Sequence, residues 1–223
     1  MVNNDDSFIR EVNDELRSEQ MNKAWKRFGR IFIGAAVLLV VGVAGHRLYE
    51  HWHSSNASTS GDRFIAALDL AGDKKTDEAL AALGEIEKDG TGSYPVLAKL
   101  RAAALQAEKG DKPAAISSFQ AISKDNATPV LVRDVAKLRA AFLLVDTANY
   151  EQVAAEAEVL TTDGHALRHS AREVLGLAAY KADNMKQAKD WFSQITNAAD
   201  APRNVANRAQ IMLDNIAASG KAP

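Results

Sequence analysis

Ala98-Lys99-Leu100-Arg101-Ala102-Ala103 returns, residue for residue, as Ala136-Lys137-Leu138-Arg139-Ala140-Ala141, thirty-eight positions later. Each copy sits in a run with helical spacing of its apolar residues. Each is followed by a short turn, Gly110-Asp111-Lys112-Pro113 or Ala148-Asn149-Tyr150, and then by a second helical run. The plan extends outward in both directions. FIAALDLAGDKKTDEALAALGEI (64–86) precedes the pair and LGLAAYKADNMKQAKDWFSQI (175–195) follows it. Two short helices per unit cannot bury an apolar face alone, so neighbouring units must stack. The expected fold is all-α: a solenoid of about four helical hairpins over residues 61–218.

A finer spacing runs through the four units. A small residue in the first helix is followed by another small or short residue twelve positions on. An apolar residue comes four later and a further one three beyond that. Ala67, Ala79, Leu83 and Ile86 fit the first unit, and Ala103, Ala115, Phe119 and Ile122 the second. Ala141, Val153, Ala157 and Leu160 fit the third, and Gly176, Ala188, Phe192 and Ile195 the fourth. Small residues let two helices approach, and the larger ones fill the gap to the next unit. The pattern resembles the tetratricopeptide repeat, in degenerate form: the early Trp of that motif is missing and its closing Pro is shifted to Pro129 and Pro202. The resemblance implies that the first helix of each unit lines a concave groove. Its lining would be Leu100, Ala104, Leu138, Phe142, Leu177 and Tyr180, an apolar set suited to an apolar peptide or a partner helix. Val205, Ala209, Met212, Leu213 and Ile216 give Asn204–Ala218 an apolar stripe, as a capping helix at the open end of a solenoid requires. Residues 219–223 read as a tail.

Upstream of the repeats the chain changes character. Ile31–Gly45, IFIGAAVLLVVGVAG, has no charge, no amide side chain and no proline. Widened to Phe28–Leu48, it holds full charges only at Arg30 and Arg47, near its ends. Twenty-one helical residues reach about 32 Å, enough to cross a bilayer. Arginines at the ends can place their guanidinium groups among headgroups. Trp25 and Phe28 on one side and Tyr49 and Trp52 on the other suit the two interfaces. The sequence therefore predicts a transmembrane signal-anchor over 28–49, after a charged leader over 1–27 and before a polar linker over 50–60. A cleaved signal peptide fits less well, because some thirty residues, six of them acidic, precede the apolar run. Lys23, Lys26, Arg27 and Arg30 crowd the N-terminal side, which places that side in the cytoplasm and the repeats across the membrane. In the leader, Phe8, Ile9, Val12 and Leu16 recur at helical spacing among acids.

Little points to chemistry. The chain has no cysteine, which excludes disulfides, thiolate zinc sites and a cysteine nucleophile. A net charge of −2 offers no field for nucleic acid. His46, His51 and His53 have only Glu50 as a nearby carboxylate, and His165 and His169 have no third ligand nearby in sequence. No metal site is expected, and the latter two read as surface residues. No GxSxG, P-loop, HExxH or dinucleotide-binding glycine pattern occurs. The expectation is a protein without catalytic activity or cofactor that works through a binding surface.

The whole layout resembles one family. A leader ending KAWKRFGR, the span IFIGAAVLLVVGVAGHRLYEHW and degenerate repeats ending LGLAAYKADNMKQAKDWF are similar to the ancillary SecYEG translocon subunits of YfgM-like type. The resemblance implies a bacterial inner-membrane protein with a periplasmic domain. It would work beside the translocon with a membrane-anchored PpiD-like chaperone on emerging secretory polypeptides. Two other roles suit the same architecture: an adaptor for outer-membrane or cell-division assembly, and a regulator acting through its cytoplasmic leader.

Overall fold

A computed structural model describes residues 38–47 and 58–220. The chain divides into two compact units, 1–56 and 57–223. Of the first unit, the described part is a helical segment, 38–47, with its side chains exposed. Among the described residues no helix is long and apolar enough to cross a membrane. The rest of the predicted span lies outside the described residues, as do the leader and Lys23, Trp25, Lys26, Arg27, Arg30 and Trp52.

The described part of the second unit, 58–220, is built of helices joined by turns, with no strand. Helix α1 covers 58–72, α2 Thr76–Asp89, α3 Tyr94–Glu108, α4 Lys112–Lys124, and α5 Val130–Thr147. Then come α6 (Tyr150–Ala157), α7 (Arg168–Lys181), α8 (Met185–Thr196) and α9 (Arg203–Ala218). Residues 58–60, read from sequence as linker, already belong to α1. Ser60 is buried and its Oγ accepts the Thr91 N–H at 3.1 Å, tying α1 to the α2–α3 turn.

The four hairpins close where the twelve-residue spacing requires. Ala67 and Ala79, Ala103 and Ala115, Ala141 and Val153, and Ala188 have no exposed surface, and Gly176 is buried. The larger residues of the pattern are buried as well: Leu83, Ile86, Phe119, Ile122, Leu160, Phe192 and Ile195. Full burial of a side chain of this size stabilises by about 1.5–3 kcal/mol. The core is a row of clusters, each shared by one hairpin and the first helix of the next unit. In the first, Ala67 of α1, Leu83 of α2 and Ala98 of α3 meet. In the last, Ala179, Phe192 and Val205 of α7, α8 and α9 meet.

Local chemistry sets the turns. In three hairpins the turn has three residues, and its middle one takes positive φ: Lys74 (62°), Gly110 (95°) and Asp183 (59°). The next residue is the N-cap of the second helix. Asp111 and Asn184 accept the N–H of Ala114 and Gln187 there, each at 3.2 Å. In the third unit Asn149 and Gln152 form a reciprocal capping box instead. Pro129 and Pro202 stand immediately before α5 and α9 with extended ψ of 141° and 131°. They turn the chain into the helix that follows.

The third unit departs from the regular plan. Its second helix runs for only eight residues before tightening into a 3-10 turn, Glu158–Thr161. The Thr161 hydroxyl donates to the Glu158 carbonyl at 2.8 Å, competing with the backbone ladder, and Gly164 turns the chain away with φ 82°. The tightened turn still delivers Leu160 to the core.

Gly176 packs directly against the Phe192 ring. A Cβ there would lie 2.8 Å from Cε1 and Cζ of Phe192. Gly176→Ala is expected to displace the Phe192 ring and to destabilise by about 1–3 kcal/mol. A denaturant titration reads this as a lower midpoint. Adding Phe192→Leu to Gly176→Ala should recover part of the loss, and a double variant no better than the sum of the singles would show that the ring is not the obstacle.

Candidate functional site

Helices α3 and α5 carry the two AKLRAA copies and flank α4, which packs on both. They do not pack along each other, whereas α5 and α7 do. A groove is left between α3 and α5. It consists of two adjoining cavities of about 420 and 260 Å³ that share Ala104, Phe119 and Arg139 as lining. Leu138 and Phe142 line the larger, Leu100 and Val135 the smaller. Phe119, buried under the groove from α4, forms its floor.

Four of the six positions read from sequence, Leu100, Ala104, Leu138 and Phe142, thus line one groove. Leu177 and Tyr180 do not. Both pack against the cluster of α7, α8 and α9, where α9 occupies the place of a further first helix. Sequence reasoning did not assign Phe119, Arg101 and Arg139 to the groove. The arginines were open to detection, because they occupy the same place in the two AKLRAA copies. Arg101 donates to Glu108 Oε1 at 3.0 Å within α3. Arg139 is exposed and lines both cavities.

A polar cluster lies at the start of α7. His165 precedes that helix, so it does not share a helix face with His169. The Leu167 N–H donates to His165 Nδ1 at 3.1 Å, which places the ring proton on Nε2, 3.2 Å from Asp134 Oδ2 of α5. His169 is not the surface residue the sequence suggested. It is only 5 % exposed, its Nε2 is 3.3 Å from Asp200 Oδ1, and Arg168 also pairs with Asp200. Asp200, in the α8–α9 turn, reaches it from a position far away in sequence. That burial, and the charges of Arg168 and Arg172, hold the His169 pKa below the usual histidine value. Nearby, Arg172 donates to the Thr161 carbonyl and to Asp163. Among the described residues no group of three or more His, Cys, Asp or Glu could hold a metal ion.

On α7 and α9, the Glu173 carboxylate is 4 % exposed and receives both Nε and Nη2 of Arg208, at 2.5 and 2.7 Å. Such a bidentate pair fixes orientation as well as charge. It belongs to the end of the solenoid, and neither residue lines the groove.

Residues 23–218 match the family described as the tetratricopeptide repeat-like domain. No curated protein and no solved structure matches the chain.

The His169 environment has a consequence for pH. Its folded pKa lies below the unfolded value of about 6.5, so the folded state favours the neutral ring. The stability tied to that ring is present above about pH 6.5 and is lost as pH falls through the folded pKa. Thermal unfolding between pH 7.5 and 5 should show a falling midpoint, by about a few degrees. His169→Gln, which cannot gain a proton, should flatten the curve; an unchanged pH slope in that variant would assign the effect elsewhere.

Proposed function

The chain belongs to the tetratricopeptide repeat-like domain family, and from that premise we propose that it is a non-enzymatic accessory of the Sec translocon in the bacterial inner membrane. In this reading residues 28–49 span the membrane, the N-terminus is cytoplasmic and the repeats are periplasmic. Repeat domains of this kind mediate protein–protein contacts, and the groove between α3 and α5 is the surface offered to a polypeptide. The observation that carries the reading is that groove: an open, mainly apolar channel on two repeated helices, floored by Phe119. It is of the size that holds several side chains of a bound segment.

The family match gives the membrane reading further support. It begins at Lys23, inside the basic run, and so takes in the predicted span along with the repeats. The matched range thus includes the basic residues from Lys23, the apolar stretch and the hairpins. The resemblance to YfgM-like subunits adds the translocon and a PpiD-like chaperone as partners, and emerging secretory polypeptides as clients.

Copurification tests this. The full chain, tagged at its C-terminus and extracted in mild detergent, should bring down translocon subunits together with a membrane-anchored periplasmic chaperone. A chain beginning at Ala57, the start of the second compact unit, should lose the translocon. Recovery of outer-membrane or division assembly factors in their place would overturn the translocon reading and leave an adaptor.

A further inference from the structure

We infer that the α3–α5 groove selects polypeptide segments whose apolar side chains are flanked by an acidic one, with Arg139 as the selecting group. The inference rests on the reading of this groove as the partner site and adds the chemistry of the partner. Three charged side chains line the two cavities: Arg101, Glu108 and Arg139. Arg101 and Glu108 lie 3.0 Å apart and neutralise each other. Arg139 has no carboxylate partner among the described residues, and it borders both cavities. The groove therefore carries one uncompensated positive charge at its rim, where the two cavities join. A segment that buries aliphatic or aromatic side chains against Leu138 and Phe142, above the buried Phe119, brings its next polar residue to that guanidinium. A carboxylate there is taken up by a planar, two-pronged donor, while a lysine meets like charge. The unpaired charge sits at the rim, so it acts on choice of partner more than on total affinity.

The lining on α3 runs from Leu97 to Glu108, about 16 Å of helix. That length accommodates about three helical turns or about five residues of extended chain. A suitable probe is a labelled peptide of about ten residues with Phe and Leu four apart and a Glu beside them. Its sister carries Lys in place of Glu. Binding to the full chain in lipid nanodiscs is read by fluorescence anisotropy, with empty nanodiscs as control.

The Glu peptide is expected to bind about two- to fivefold more tightly than the Lys peptide, the range for one exposed ion pair. The difference should shrink in high salt, and Arg139→Glu should reverse it. Ala104→Phe, which fills the shared part of the groove, should weaken both peptides. Equal binding of the two peptides, unchanged by Arg139→Glu, would overturn the charge selection and leave the groove as partner site. No binding of either, or binding indifferent to Ala104→Phe, would overturn the groove reading and this inference with it. Sedimentation showing the groove closed by a second copy at the concentrations used would also overturn it.

Discussion

The close approach of two helices at a pair of small residues twelve positions apart is the constraint on which the hairpins depend. With a turn of two or three residues, twelve positions bring the second helix back alongside the first at the level of its partner. A large side chain at either place would hold the helices apart. The next position of the pattern could not then reach the neighbouring unit. Ala67 with Ala79 and Ala103 with Ala115 meet this with two methyl groups. The third unit uses Val153 opposite Ala141, and the fourth uses Gly176 opposite Ala188, with the Phe192 ring against the bare Cα. Crossing distance and the size of the filling residue are coupled: a larger ring is compatible with a smaller partner.

Stacking of the hairpins then decides where a surface is left open. First helices of adjacent units share the inner face, and a groove exists only where they stand apart. Between α5 and α7 they pack, and at the end α9 lies over Leu177 and Tyr180. Between α3 and α5 they do not pack along each other, and Phe119 from α4, itself buried, lies beneath the gap. The groove is thus a property of the α3–α5 junction. It is set by how the helices pair, while the residue types that line it are common to several junctions.

This explains what could be read in advance. The hairpins and all sixteen pattern positions were legible, because spacing along one hairpin is local information. So was the capping helix, expected over Asn204–Ala218 and found as Arg203–Ala218. Leu100, Ala104, Leu138 and Phe142 could be placed in one lining through the resemblance to the tetratricopeptide repeat, whose first helices face the groove. Leu177 and Tyr180 could not be separated from them, since their cover comes from α9, more than twenty residues away in sequence. The contact of His169 with Asp200 was illegible on like grounds: it joins α7 to the α8–α9 turn. The shortening of α6 into a 3-10 turn was missed because Leu160 keeps its register in the pattern whichever helix type delivers it.

The C-terminal end of the solenoid and the groove are held by different physics, and the difference bears on function. Toward the C-terminus, Glu173 is buried and held by Arg208, so α7 and α9 are joined by a charged pair as well as by apolar packing. Removing Arg208 would leave the buried Glu173 carboxylate without its counter-charge, whereas Arg208 itself is half exposed and keeps contact with water. That end is therefore fixed in geometry and in partner. Around α3 and α5 the charged side chains are different in kind: Arg101 and Glu108 pair at the surface, where such contacts contribute about 0–1 kcal/mol, and Arg139 pairs with no carboxylate among the described residues. Little stability is tied to them. Charges with no structural duty beside an open apolar floor can be varied without unfolding the array, which is what a surface that distinguishes among partners requires.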